Sequence, residues 1–200
     1  MKDLTPNLSA PVPETPEQLY ARVQREGLRR PPLEEWETFP FEGELRVREL
    51  QPPAAEEAPR RGEDPTDCFA CTAAPDAAIW SDDRWLVVPV QEPNGLPCVV
   101  LLFPRRHVDL GELSNEEASD LGLMLVRVEA AVRRVPYVGR VHVCRWGDGS
   151  VHLHYWFLAR PARMPQLIGS FAAIWDDILP PTPQDVWDEN LALVARALSE

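Results

Sequence analysis

The sequence predicts an α+β fold built on an antiparallel sheet, and three observations carry that prediction. Residues 140–158 read as a strand, a glycine turn and a second strand, joined too closely for a parallel crossover. Residues 98–103, Cys98-Val-Val-Leu-Leu-Phe103, form a continuous apolar run of strand length. Between these lies a helix with clear ends. Ser114 is its N-cap, Glu117 completes a capping box, and Leu121, Leu125, Val128 and Val132 recur at helical spacing until Pro136 stops it. Strands at both ends of a long helix, joined by short turns, favour an α+β antiparallel sheet.

The 200 residues suit one domain with extensions, and 44% hydrophobic content with seven tryptophans suffices for a core. No stretch approaches a membrane-spanning length and no signal-peptide pattern opens the chain, so a soluble, cytoplasmic protein is expected. A net charge of −12 argues against nucleic acid as a partner. Lys2 is the single lysine. The arginines at 105, 106, 133, 134, 140, 145, 160 and 163 flank the histidine-rich stretch, and a local anion site is expected among them, with Arg145 assigned to substrate.

In chain order, residues 1–67 hold 11 of the 22 prolines and read as an extended N-terminal arm. Within it, Thr15, Pro16 and Gln18 start a helix that Gly27 stops, and residues 41–50 alternate like an edge strand. Residues 51–67 read as a linker. Composition changes at Cys68, and a short strand follows at 85–88. Residues 98–103, the helix, a strand near 140–146 and the run at 151–158 complete the domain at 68–161. In that last run His152, His154 and Trp156 share one strand face, with Val151, Leu153, Tyr155 and Phe157 on the other. Residues 162–200 form a helical appendage. Ser170 is read as the cap of a short helix to Leu179, and a last helix from Thr182-Pro183 carries Trp187, Leu191, Val194 and Leu198 on one side.

Two chemistries stand out. Cys68 and Cys71 have the spacing that lets two thiolates reach one tetrahedral Zn²⁺, and His107 and His152 complete a Cys2His2 set. The rival reading is a redox dithiol, although Phe69-Ala70 sits in no recognisable strand-to-helix setting. His154 then remains as a reactive imidazole. A neutral imidazole can attack phosphorus and divide a phosphoryl transfer into two easier steps. The turn at 147–150, with Gly149 and Ser150, and nearby arginines are the expected phosphate donors. His142 is read as packing on a strand face, and Cys98 as a buried small hydrophobe.

The stretch from Cys68 to Pro161 resembles the histidine triad superfamily, including its galactose-1-phosphate uridylyltransferase branch. Five pieces match in the family order: Cys68-Phe-Ala-Cys71, Asp82-Asp-Arg-Trp-Leu86, Phe103-Pro-Arg-Arg-His-Val108, Glu112-Leu-Ser-Asn-Glu-Glu117 and Val151-His-Leu-His154. The resemblance implies a five-stranded antiparallel sheet with a long helix, often as a homodimer. It also implies a zinc held by Cys68, Cys71, His107 and His152, and a nucleophile at His154.

The chain departs from that family at four points. The third triad position is Trp156, an indole that donates one N–H and accepts nothing. No carboxylate stands near Pro89-Val90, where relatives grip a ribose. Cys144 falls where relatives often carry Asn, and the glycine turn is short. The resulting expectation is a nucleotidyl or phosphoryl transferase or hydrolase acting on a small nucleotide or phosphorylated substrate. Gly149, Ser150, Trp156 and Arg145 would then surround the ligand. The alternative is a zinc-stabilised binding domain that has lost the reaction, and a third reading is a Cys-x-x-Cys oxidoreductase.

Overall fold

The structure, a computed structural model, describes residues 52–200 and six single positions before them: Ala21, Gln24, Arg25, Phe39, Phe41 and Gly43. Ala21, Gln24 and Arg25 are helical; the rest of the helix expected from Thr15 to Gly27 lies outside the described residues, as does the strand expected over 41–50 apart from Phe41 and Gly43. Contacts divide the chain into one unit of Met1–Glu35 with Glu42–Ala58 and another of Trp36–Phe41 with Pro59–Glu200. The sheet and the sites described below belong to the second unit.

Five strands form one sheet: β1 (Trp80–Ser81), β2 (Trp85–Pro89), β3 (Val99–Pro104), β4 (Val138–Cys144) and β5 (Tyr155–Pro161), in the order β1-β2-β3-β5-β4. Every pairing is antiparallel, as the short connections from β1 to β2, β2 to β3 and β4 to β5 require of those three pairs. The central strands read as unbroken apolar runs because both faces of the sheet are covered. Successive side chains of β2 show this: Trp85 and Val87 enter one core, Leu86 and Val88 a second on the opposite face.

Two short helical turns, α1 (Phe69–Thr72) and α2 (Ala74–Ala77), precede the sheet. The long helix α3 (Asn115–Val132) covers the first face. Its cap is the one the sequence predicts, with the Glu117 amide donating to Ser114 Oγ at 3.2 Å and the Ser114 amide donating to Glu117 Oε2 at 2.8 Å. The buried stripe is Leu121, Met124, Val128, Ala131 and Val132; Leu125 is only partly covered. Arg106 holds the Glu117 carboxylate with two N–H groups, at 2.8 and 2.9 Å. That guanidinium is the main reason the carboxyl falls to about 2, and the contact ties the loop after β3 to the start of α3.

Helices α4 (Phe171–Ile178) and α5 (Gln184–Ser199) close the chain. Ser170 makes no side-chain cap because its own backbone is already helical, and Pro183 rather than Thr182 precedes α5. The apolar side of α5 buries Trp187, Val194 and Leu198 as expected, while Asn190 joins them by donating to the Pro97 carbonyl at 2.9 Å.

The connection from β2 to β3 leans on α4 through Asp176, which accepts from the Leu96 amide at 2.9 Å and from Asn94 Nδ2 at 2.7 Å. Burial pushes this carboxyl up to about 6. The folded chain therefore binds the proton more tightly than the unfolded chain. The stabilising contribution is full below about pH 4 and is lost as pH rises through about 6. Asp176→Asn is expected to flatten this fall. Urea midpoints taken from pH 4 to pH 7 check it, and parallel curves for variant and wild type would contradict it.

Candidate functional site

The second face of the sheet carries the chemistry. The Cys pair sits at the start of α1, His107 in the loop after β3, and His152 in the stretch entering β5. The sequence reading placed 151–154 in a strand, but β5 begins only at Tyr155. The backbone of the preceding residues bonds elsewhere: the Val151 amide donates to the Arg61 carbonyl at 3.0 Å and the Leu153 amide to the Val108 carbonyl at 2.8 Å. The expected division of faces survives except at Val151, which is not part of the core. Leu153, Tyr155 and Phe157 join the core under α3, and His152, His154 and Trp156 do not.

The four expected ligands come together. Cys68 Sγ, Cys71 Sγ and one nitrogen each of His107 and His152 all lie within 4.8 Å of one another. Cys68 Sγ is 3.3 Å from His152 Nδ1, Cys71 Sγ is 3.3 Å from His107 Nδ1, and Cys71 Sγ is 3.5 Å from His152 Nδ1. A tetrahedral ion with metal–sulfur bonds of about 2.3 Å and metal–nitrogen bonds of about 2.05 Å sets sulfur-to-nitrogen edges of about 3.6 Å. The donor set therefore fits such an ion. No disulfide joins the pair.

The outer ring atoms support the same reading. His152 is buried, and its Nε2–H donates to the Pro104 carbonyl at 2.8 Å. That bond fixes the tautomer with a bare Nδ1 toward the sulfurs. Burial holds the imidazole below its ordinary value, and neighbouring His107 and His154 add to the effect against the opposing Pro104 bond. The Cys71 thiol is pushed up to about 11 by burial first and by Cys68 second. Among the described residues no cation lowers the Cys71 thiol, so a bound metal would be what strips the protons from the pair.

Next to this cluster opens a cavity of about 470 Å³, lined by Arg61, Gly62, Asp67, Cys68, Phe69 and Ala70 on one side. Leu101, Phe103, Gly149, Ser150, His154 and Trp156 complete it. Leu101 and Trp156 are cross-strand partners in the β3–β5 register and so share a face. His154 stands 6.0 Å from the Phe103 ring and 6.4 Å from the Trp156 ring, centroid to centroid. Its Nδ1–H donates to the His152 carbonyl at 2.9 Å, which leaves Nε2 with the lone pair.

Gly149, Ser150, Trp156 and His154 thus line one cavity, and Arg145 does not. Its guanidinium donates to Asp109 Oδ1 at 2.6 Å, sharing that carboxylate with Arg60 at 2.7 Å. Burial pulls the Asp109 carboxyl up, and the hydrogen bonds from Arg60, the Leu110 amide and Arg145 together hold it below its ordinary value. Arg145 is therefore spent on this ion pair. His142 lies on β4 beside Leu158, and Cys98 is fully buried in the core as expected.

The contribution of residues 59–67 was not legible in the sequence, where proline content hid it. Arg61 bridges Ser150 in parallel: its amide donates to the Gly149 carbonyl at 3.1 Å, and its carbonyl accepts from Val151. Gly62 is the one signal available. Its φ is +74°, and a Cβ there would stand 3.1 Å from Cys68 Cβ, so glycine lets this strap lie against the Cys pair.

Among solved structures, the chain is similar to a zinc-bound histidine triad family protein from Mycobacterium smegmatis, at 18% identity and a TM-score of 0.50, over 68% of this chain and 95% of that one. A histidine triad protein from Marinobacter aquaeolei matches at 18% identity and a TM-score of 0.48, over 61% and 88%. A uridylyltransferase matches at 23% identity and a TM-score of 0.45, over 66% of this chain and 45% of that one. No protein-family model and no curated protein matches the sequence. No helix among the described residues is long and apolar enough to cross a membrane. The five-stranded antiparallel sheet and its long helix match the zinc-bound histidine triad structure, and this chain has a histidine-triad-like fold.

Proposed function

We propose that the protein is a nucleotidyl or phosphoryl transferase or hydrolase of histidine triad type, with His154 as nucleophile. One observation carries this reading: the Nδ1 bond to the His152 carbonyl leaves His154 Nε2 bare on the wall of a cavity shared with Ser150 and Arg61. Nε2 attacks phosphorus and a phosphorus–nitrogen bond to His154 forms. The phosphorus–oxygen or phosphorus–nitrogen bond to the leaving group breaks, and that group takes a proton from solvent. Water, or a second substrate hydroxyl, then displaces the imidazole and restores it. The substrate class is a small nucleotide or phosphorylated molecule, its ring lying against Trp156 or Phe103.

The cluster of Cys68, Cys71, His107 and His152 would hold one Zn²⁺. Two thiolates and two imidazoles leave no open position, so the ion cross-links α1, the loop after β3 and the approach to β5 rather than activating water. Reduced thiols of this kind go with a cytoplasmic setting. The direct test incubates the full chain with nucleoside phosphoramidates, dinucleoside polyphosphates and nucleotide-sugars, with alkaline quenching because the phosphorus–nitrogen bond to histidine is labile in acid. Turnover with a label on His154 supports the reading, and no turnover of any of the three removes it.

One observation favours a second reading, a binding domain without turnover. Trp156 occupies the third triad position, and its ring stands 6.0 Å from Trp146, an arrangement of stacking surfaces rather than of proton carriers. Under that reading Trp156→His weakens ligand binding and gains hydrolysis. Thermal shift and a phosphate-release assay on this variant separate the two.

A further inference from the structure

We infer that Arg61, carried in by the segment ahead of the Cys pair, is the residue that grips the ligand's phosphate through both prongs of its guanidinium. The inference rests on the cavity beside His154 being the substrate site and names the group that selects the charge there. Arg145, the arginine the sequence marked for substrate, is held by Asp109 at 2.6 Å and does not line the cavity. Arg61 does line it. Among the described residues no acid pairs with its exposed guanidinium.

Its backbone is also fixed. The bonds to Gly149 and Val151, at 3.1 and 3.0 Å, set Arg61 beside Ser150. Gly62, lying against Cys68, anchors the other side. A guanidinium held by its main chain and left unpaired at the mouth of a cavity is arranged for an oxyanion. Its planar fork matches two phosphate oxygens. Trp156 brings only an indole N–H to the same cavity, so the charge that develops on a phosphate must be met from elsewhere. Asp67, also on the wall and not paired with Arg61, would accept from the ligand's hydroxyl groups. Together these residues suit a phosphate ester of a polyol, such as a nucleotide or a sugar phosphate.

Calorimetry on the metal-loaded full chain tests this with AMP as the charged probe and adenosine as its uncharged counterpart. Arg61→Gln keeps the strap's main-chain bonds and is expected to weaken AMP binding by about 10- to 100-fold. Adenosine affinity should change by less than about two-fold, and Arg61→Lys should recover only part of the loss. An unchanged AMP affinity in Arg61→Gln overturns the assignment while leaving the cavity as the substrate site. Failure of wild type to bind AMP removes both. Should Arg61→Gln lose metal or melt early, Arg61→Lys decides, because an affinity equal to wild type contradicts a two-pronged contact.

Discussion

Cys68→Ala should lower the melting temperature by about 10–15 °C and leave the purified protein without stoichiometric metal. The size follows from what the ion would join. Its donors come from α1, the loop after β3 and the stretch before β5, three segments that no strand ladder joins to one another. Loss of a structural metal belongs to the small class of changes costing roughly 4–5 kcal/mol, and each kcal/mol moves the midpoint of a chain this long by about 2–4 °C. A chelator added to wild type should reproduce most of the effect. Cys98→Ala is the control: that thiol is fully buried in the core under α3, away from the other donors, and its removal should leave metal content intact. Elemental analysis with calorimetry gives both readings. Equal stability of the Cys68→Ala and Cys98→Ala variants, or metal-free wild type, would remove the proposed centre.

His154→Ala is expected to lower kcat about a thousandfold or more on whichever phosphorylated substrate wild type turns over. No other side chain on the cavity wall can form the same phosphorus–nitrogen bond: Ser150 lacks a base within the described hydrogen bonds, and Trp156 has no lone pair to offer. The melting temperature and the metal content should stay near wild type, because His154 is only half-buried and lies outside the four-donor cluster. Single-turnover kinetics, with intact-mass detection of the modified chain, separates this from loss of binding. Turnover equal to wild type would show that His154 does not attack the substrate.

What the sequence revealed and what it hid follow from the range of each interaction. Local chemistry was legible: the capping box of Ser114 and Glu117, the apolar strands, and the spacing of Cys68 and Cys71 are set by residues a few positions apart. The meeting of His107 and His152 with those cysteines was readable through ordered motif matches. The extent of β5 was misjudged, since periodicity of two marks alternating faces whether or not a ladder forms, and the amides of Val151 and Leu153 bond to Arg61 and Val108 instead. The fate of Arg145 depended on Asp109, 36 positions away, and no composition or spacing rule reports which acid an arginine will find. The strap at 59–62 escaped for the same reason, behind a proline content that argued for a linker.

The hydrogen bond from His154 Nδ1 to the main-chain oxygen of His152 mounts the attacking ring on the backbone of a proposed metal ligand. Withdrawing the ion would then loosen two parts of the cavity wall together, the attacking nitrogen and Cys68. Bound substrate should accordingly slow inactivation by a metal-stripping agent, since it favours the loaded form. The inactivation should also reverse on re-addition of the metal in step with recovered activity, so that catalysis serves as a readout of coordination.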